Sequence, residues 1–277
     1  MLIAMCSAKG SPGVTTAGLA FCLSWARRSI LAECDPSGGD VLAGFLQGRI
    51  KADRGLEKLA VADLRDRLAD DFWNQLIDLD APREERLLLP GLTDPARSST
   101  LVYVWERLAA YLSGLEAADP GYDVLADCGR LGTVNGPMPL IQRADLVLLV
   151  ARSTLPSLSA AAVAAAALRN DLAEHGTGAD ALALLVIADG AYRPGEITSG
   201  IAEAFPELHL PVAAVLPEDA NAATALNRRG EWLRRSRLQH AAAAAEQDIW
   251  ELAAARQRRY RPRVPNETPA GGALHAR

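Results

Sequence analysis

The segment Ser7-Ala8-Lys9-Gly10-Ser11-Pro12-Gly13-Val14-Thr15-Thr16 joins a short apolar run, Leu2 to Cys6, to an apolar helix-forming segment, Val14 to Trp25. A glycine loop in that position turns several backbone N–H groups inward at a helix N-terminus, where the helix dipole favours an anion. Gly10 and Gly13 permit the tight turn and the close approach of a phosphate, and Thr15 is placed to offer its hydroxyl to Mg²⁺. The chemistry implied is phosphate binding with a divalent cation. Pro12 removes one N–H donor from the loop. Two acidic segments end later strand-like runs: Glu33-Cys34-Asp35-Pro36-Ser37-Gly38-Gly39-Asp40, and Tyr122-Asp123-Val124-Leu125-Ala126-Asp127-Cys128-Gly129. Taken singly, an aspartate at a strand end reads equally as a helix cap or turn residue.

Strand, glycine loop and helix form the setting of a P-loop. Lys9-Gly10-Ser11-Pro12-Gly13-Val14-Thr15-Thr16 resembles the variant P-loop of the ParA/MinD family, Lys-Gly-Gly-x-Gly-Lys-Thr-Thr, a deviant Walker A motif. Lys9 matches the first lysine and Thr15-Thr16 the threonines, while Val14 stands at the second lysine and Ala8 at the first glycine of a strict Walker A. The resemblance implies that Gly10, Ser11, Gly13, Thr15 and Thr16 hold the phosphates of ATP. It makes Lys9 the signature lysine that crosses a homodimer interface to the partner's nucleotide; a surface lysine at the loop edge is the plainer reading. Asp35 falls on the aspartate that positions the attacking water. Asp127 falls on the Walker B aspartate that holds Mg²⁺ through water, and together with Thr15 completes a hydrated Mg²⁺ site of the usual kind. Leu216-Pro217-Glu218-Asp219, followed by Asn227, resembles the family's base loop, so Pro217 and Asp219 are expected to frame the adenine. Asp189 stands where relatives carry asparagine. The resemblance spans about residues 1–235.

The missing lysine sets the expected activity. A charge-assisted hydrogen bond contributes roughly 1.5–3 kcal/mol, or about 10- to 150-fold in affinity. Nucleotide binding is therefore expected to survive in weakened form. Hydrolysis is expected to be slow or absent, because charge develops on the phosphates in the transition state. Arg130 and Arg152 follow strand ends near the same rim and are either replacement cations or ordinary surface arginines.

The elements that must carry these residues alternate along the chain. Apolar runs fall at Leu2–Cys6, Ile30–Cys34, Leu87–Pro90, Asp123–Asp127, Asp145–Ala151, Ala181–Ala188 and Val212–Leu216. Their near-continuous apolar character predicts strands buried on both faces, hence a mostly parallel sheet. Helical segments lie between, at Thr15–Arg27, Glu57–Asp80 in pieces, Leu101–Glu116, Leu155–His175, Ala220–Arg229 and Gln239–Arg259. The expected fold is α/β: a doubly wound, mostly parallel sheet flanked by helices, the P-loop NTPase fold, with ligands at the carboxyl ends of the strands. Residues 1–261 are expected to form one domain, and residues 262–277, rich in proline and glycine, a disordered tail.

With 277 residues, 49% of them hydrophobic, the chain can bury a large core, and its net charge of −5 gives no global pull toward nucleic acid. Cys6, Cys22, Cys34 and Cys128 make no Cys-x-x-Cys pair and suit a reducing cytoplasm, and Cys6, Cys34 and Cys128, at strand ends, read as small buried packing residues. No secretory signal is expected in the first apolar run, which is short and leads directly into the glycine loop, and the apolar runs Ala144–Ala151 and Ala160–Leu168 are too short to span a bilayer. Between Asn227 and Arg263 ten arginines face four acids, a local balance of about +6. Family members hold DNA non-specifically through basic patches, or membranes through a C-terminal amphipathic helix. Here the last helix offers only Ile249, Trp250 and Leu252 as large apolar groups, a thin face that permits at most peripheral membrane contact. Flanking arginines suit DNA phosphates; a docked final helix with a solvated basic rim is the plainer reading.

Together these features predict a dimerising, ParA/MinD-like positioning or partitioning factor with a protein partner or cargo. Positioning proteins of pilus and secretion machinery, TadZ-like, include forms with altered P-loops. An active DNA-segregating ATPase and a nucleotide-free scaffold are the alternatives.

Overall fold

The computed structural model describes residues 1–10, 12–51, 53–190, 192–206, 210–233 and 235–260. The expected tail from Pro262, together with Arg261, Arg263, Arg234 and Ser11, lies outside the described residues. The chain runs β1 (Leu2–Ser7), α1 (Val14–Ser24), β2 (Ser29–Glu33), α2 (Leu56–Asp63), α3 (Leu68–Phe72), β3 (Ile77–Asp78), β4 (Arg86–Leu89), α4 (Trp105–Gly114), β5 (Asp123–Arg130), α5 (Met138–Arg143), β6 (Leu146–Arg152), α6 (Leu155–His175), β7 (Leu182–Ala188), α7 (Pro194–Ala204), β8 (Val212–Pro217), α8 (Ala220–Thr224) and α9 (Arg237–Tyr260). One sheet of order β3-β4-β2-β5-β1-β6-β7-β8 joins the strands. Every ladder is parallel except β3–β4. The chain crosses from β1 to β2 in one direction along the sheet and from β5 to β6 in the other. The carboxyl ends of these central strands therefore border a topological switch point.

Strand alternation explains why the runs are apolar throughout. Leu2, Ala4 and Cys6 of β1 enter one core with residues of α2, α4, α5 and α6, whereas Ile3 and Met5 enter a second core with residues of α1 and α9. Neither face of the strand meets water. Cys6, Cys34 and Cys128 all pack in the first core. Burial pushes the Cys6 thiol up to about 12 and raises Cys34 and Cys128 well above the usual range, so all three are thiols that pack and do not react.

Three elements were not expected. Helix in the 57–80 region stops at Phe72 and a short 3₁₀ turn, and Ile77–Asp78 forms an antiparallel edge strand too short to show periodicity. Helices α5 and α7 also went unpredicted, although α7 carries its own signal: Pro194 at its first position and Glu196, whose Oε2 accepts the Arg193 N–H at 2.7 Å.

The final helix is docked, and its described arginines Arg237, Arg258 and Arg259 stay exposed. Leu238, Ala242, Ile249, Ala253 and Ala254 of α9 are buried, and Trp250 and Leu252 pack against the same core. The apolar groups considered for membrane contact are thus committed to docking the helix. Arg256 is buried too; it donates to the Asp145 and Thr177 carbonyls and pairs with Asp180. Among the described residues no helix is long and apolar enough to cross a membrane.

Candidate functional site

The loop after β1 ends on Gly13, whose positive φ of 109° starts α1 without a side-chain cap. The first N–H groups of α1 are therefore unclaimed by any capping side chain, as an anion site requires. They border a cleft of about 880 Å³ lined by Gly10, Pro12, Gly13, Val14, Thr15 and Thr16 from the loop and helix. Asp35 and Asp40 from the segment after β2, and Asp127 and Arg130 from β5, line its other walls. Val14 is only 7% exposed and packs in the α1 core while its edge faces the cleft.

Thr15 and Asp127 meet on the cleft floor: Thr15 Oγ1 donates to Asp127 Oδ2 at 2.6 Å, and the Gly129 N–H donates to Asp127 Oδ1 at 3.0 Å. Burial pushes the Asp127 carboxyl up to about 6, against the pull of those two donors. A buried carboxyl that is hard to ionise, beside a hydroxyl oxygen and an open cleft, fits a divalent cation, whose charge would offset the burial. Asp35 is half-buried and closes a turn by accepting the Ser37 N–H at 2.7 Å. The end of β5 crosses tightly over it. A Cβ on Gly129, where φ is +62°, would run into the Asp35 carboxyl, so the position demands glycine.

Glu33 escaped the sequence reading as a site component. It is 3% exposed; Oε1 accepts the Asp40 and Val41 N–H groups at 2.7 and 2.9 Å, and Oε2 accepts the Gly91 N–H at 3.2 Å. The carboxyl thereby ties the segment carrying Asp35 to the turn after β4. A Cβ on Gly39 would come within 2.8 Å of Glu33 Oε2. The available signal was an acid inside an apolar strand, two residues before Asp35 and followed by Gly38-Gly39.

Burial pushes Glu33 up to about 7 from an ordinary 4.5, the three backbone donors opposing it. Between these two values the folded chain holds a proton that the unfolded chain has released. This contribution to stability is complete below pH 4.5 and is lost as pH rises through 7. The shift corresponds to a change on the order of 3 kcal/mol. Urea unfolding from pH 5 to pH 8 should show native stability falling with pH, and Glu33→Gln should flatten that fall. Equal slopes in the two proteins would refute the assignment.

A second, smaller and mostly apolar cleft of about 120 Å³ adjoins the first, with Pro12, Gly13, Thr16 and Arg152 shared between them. Ile187, Leu216, Pro217 and Ala223 supply apolar surface there, and Asp219 stands at its edge. The Asp219 carboxylate caps α8 by accepting the Ala222 N–H at 3.0 Å and also accepts the Arg237 N–H at 3.2 Å. Asp219 therefore shapes the loop. Asp189, at the end of β7, lines neither cleft. Asn227 reaches back and donates to Thr16 Oγ1 at 3.0 Å, joining the segment after α8 to the start of α1.

No protein-family model and no curated protein matches the sequence. Solved structures do match. MinD from Pyrococcus horikoshii, in complex with Mg-ADP, has TM-score 0.66 and 16% identity, with 92% of this chain and 97% of that chain covered. A single-substitution variant of McdA from Cyanothece, in complex with ATP, has TM-score 0.64 and 15% identity, with 91% and 95% covered. A ParA-family ATPase from Chlorobium tepidum has TM-score 0.63 and 14% identity, with 88% and 98% covered. The chain has the fold of the MinD and ParA ATPases.

Within this MinD/ParA fold the ends of β1, β2 and β5 bring Gly10, Gly13, Thr15, Thr16, Asp35 and Asp127 to one cleft. Pro217 and Asp219 border the adjoining one. Lys9 is exposed and lines neither. Ser11 lies outside the described residues.

Proposed function

We propose that this chain is a ParA/MinD-like nucleotide switch that binds ATP with Mg²⁺, dimerises, and positions a cargo or protein partner, with slow or absent hydrolysis. The observation that carries the proposal is the Thr15–Asp127 hydrogen bond of 2.6 Å at the uncapped N-terminus of α1, on the floor of a cleft of about 880 Å³. The nucleotides in the P. horikoshii MinD and Cyanothece McdA complexes support the same reading.

In this reading the N–H groups of the loop through Gly10, Ser11 and Gly13, and those opening α1 at Thr15 and Thr16, cradle the phosphates. The Thr15 hydroxyl oxygen ligates Mg²⁺ and Asp127 holds its water shell. The cation supplies charge that offsets the phosphate oxygens. Asp35 orients a water where turnover occurs. Pro217 and the loop capped by Asp219 frame the adenine against an apolar wall. Exposed Lys9 is free to extend toward a second copy, which fits its lining no cleft of its own chain. Residues 1–261 act as one domain in the cytoplasm. With α9 docked by its apolar face, DNA contact falls to the outward arginines of the C-terminal region.

Val14 makes the loop a deviant Walker A motif without its phosphate lysine, and this predicts a gain-of-function variant. Val14→Lys should tighten Mg-ATP binding by about 10- to 150-fold and raise turnover by more. Calorimetric titration and a phosphate-release assay check both, with light scattering to follow dimerisation on ATP addition. Absence of ATP binding by the native chain, with binding by Val14→Lys, would replace the switch by a nucleotide-free scaffold.

A further inference from the structure

We propose that Arg130 supplies the positive charge at the phosphates that Val14 cannot, reaching the site from the end of β5. The proposal rests on the nucleotide reading above and names the residue that makes it work.

The ladder between β1 and β5 is regular up to Met5 opposite Asp127, then shifts register so that Ser7 faces Arg130. A bulge of this kind re-aims the side chains that follow it. Regular alternation would send residues 127 and 130 to opposite faces of the sheet. Instead Asp127 and Arg130 both line the large cleft, while Cys128 packs in the core beneath. The Leu131 N–H donates to the Ser7 carbonyl at 2.8 Å and Ser7 Oγ donates to the Gly129 carbonyl at 3.4 Å, fixing the displaced strand end. Arg130 is thus held beside the residue at which β1 gives way to the phosphate loop.

Charge balance separates Arg130 from the other candidate. The described cleft lining holds three carboxylates, Asp35, Asp40 and Asp127, and two cations, Arg130 and Arg152. Arg152 pairs with Glu218 at 2.6 Å and stands at the junction with the smaller cleft. Among the described residues no carboxylate lies within ion-pair distance of Arg130. An exposed guanidinium with its donors uncommitted, on a rigid strand end, is suited to bidentate contact with phosphate oxygens.

The test is calorimetric titration of the native chain, Arg130→Ala, Arg130→Lys and Arg152→Ala with ATP, ADP and AMP in Mg²⁺, with circular dichroism to verify the fold. Arg130→Ala should weaken ATP and ADP about tenfold or more and leave AMP unchanged. Arg130→Lys should restore part of the loss, and Arg152→Ala should lose less. In a Val14→Lys background the Arg130→Ala effect should shrink, because one cation then substitutes for the other. Native binding that persists undiminished in Arg130→Ala overturns this proposal and leaves the nucleotide reading intact. An equal loss for AMP also overturns it, since that marks general damage. No binding of any of the three nucleotides by the native chain overturns both.

Discussion

Asp127→Ala should lower Mg-ATP affinity by about 10- to 150-fold and abolish the difference between titrations with Mg²⁺ and with a chelator. Among the described residues Asp127 is the one carboxyl that bonds the Thr15 hydroxyl, and both line the cleft. Without it the hydroxyl oxygen alone cannot hold a hydrated dication, and the phosphate oxygens lose the charge that offsets them. The fold should survive. Burial pushes this carboxyl up to about 6, so at pH 8 the ionised form opposes folding; its removal relieves that penalty, which offsets the cost of the Gly129 N–H left without its acceptor, while the Thr15 hydroxyl stays at the edge of an open cleft. The thermal midpoint at pH 8 should therefore stay close to that of the native chain. Mg²⁺-dependent ATP binding that persists in Asp127→Ala would remove the metal site from the proposal.

Glu33→Ala should do the reverse, unfolding the chain more than it disturbs chemistry. Three backbone N–H groups, those of Asp40, Val41 and Gly91, converge on this one carboxyl. Each buried donor left without an acceptor costs about 1–3 kcal/mol, so a loss of roughly 3–5 kcal/mol is expected once partial hydration from the cleft is allowed for. For a chain of this size that is a fall in Tm on the order of 10 °C. Glu33→Gln keeps a carbonyl acceptor and should lose much less. Scanning calorimetry of the three proteins at pH 8 decides the matter; equal midpoints for Glu33→Ala and Glu33→Gln would show that the converging N–H groups find other acceptors. The segment carrying Asp35 is anchored through the same carboxyl, so Glu33→Ala should also loosen that wall of the cleft.

The sequence alone determined seven of the eight described strands, because an element buried on both faces has to be apolar at every position, and such runs are readable without any partner. It determined the glycine loop between β1 and α1 as well, since a glycine turn between strand and helix is a local feature. Asp35 and Asp127 were legible for the same reason: they end strands, and a parallel sheet carries strand ends to a common rim. Only the tertiary structure decided what distant residues do to one another. Glu33 looks like an interruption of a strand until the loops after β2 and β4 fold onto it. Ile77–Asp78 becomes a strand only because β4 offers it a free edge. Ile249 is buried because β8 and α1 present a matching face to α9, and Arg256 because the Asp145 and Thr177 carbonyls and Asp180 converge on its guanidinium. The direction of Arg130 depends on a one-residue register shift against β1, more than a hundred positions away in the chain. Local sequence sets the backbone period and the residues able to bind; long-range packing and register set which of them face the same space.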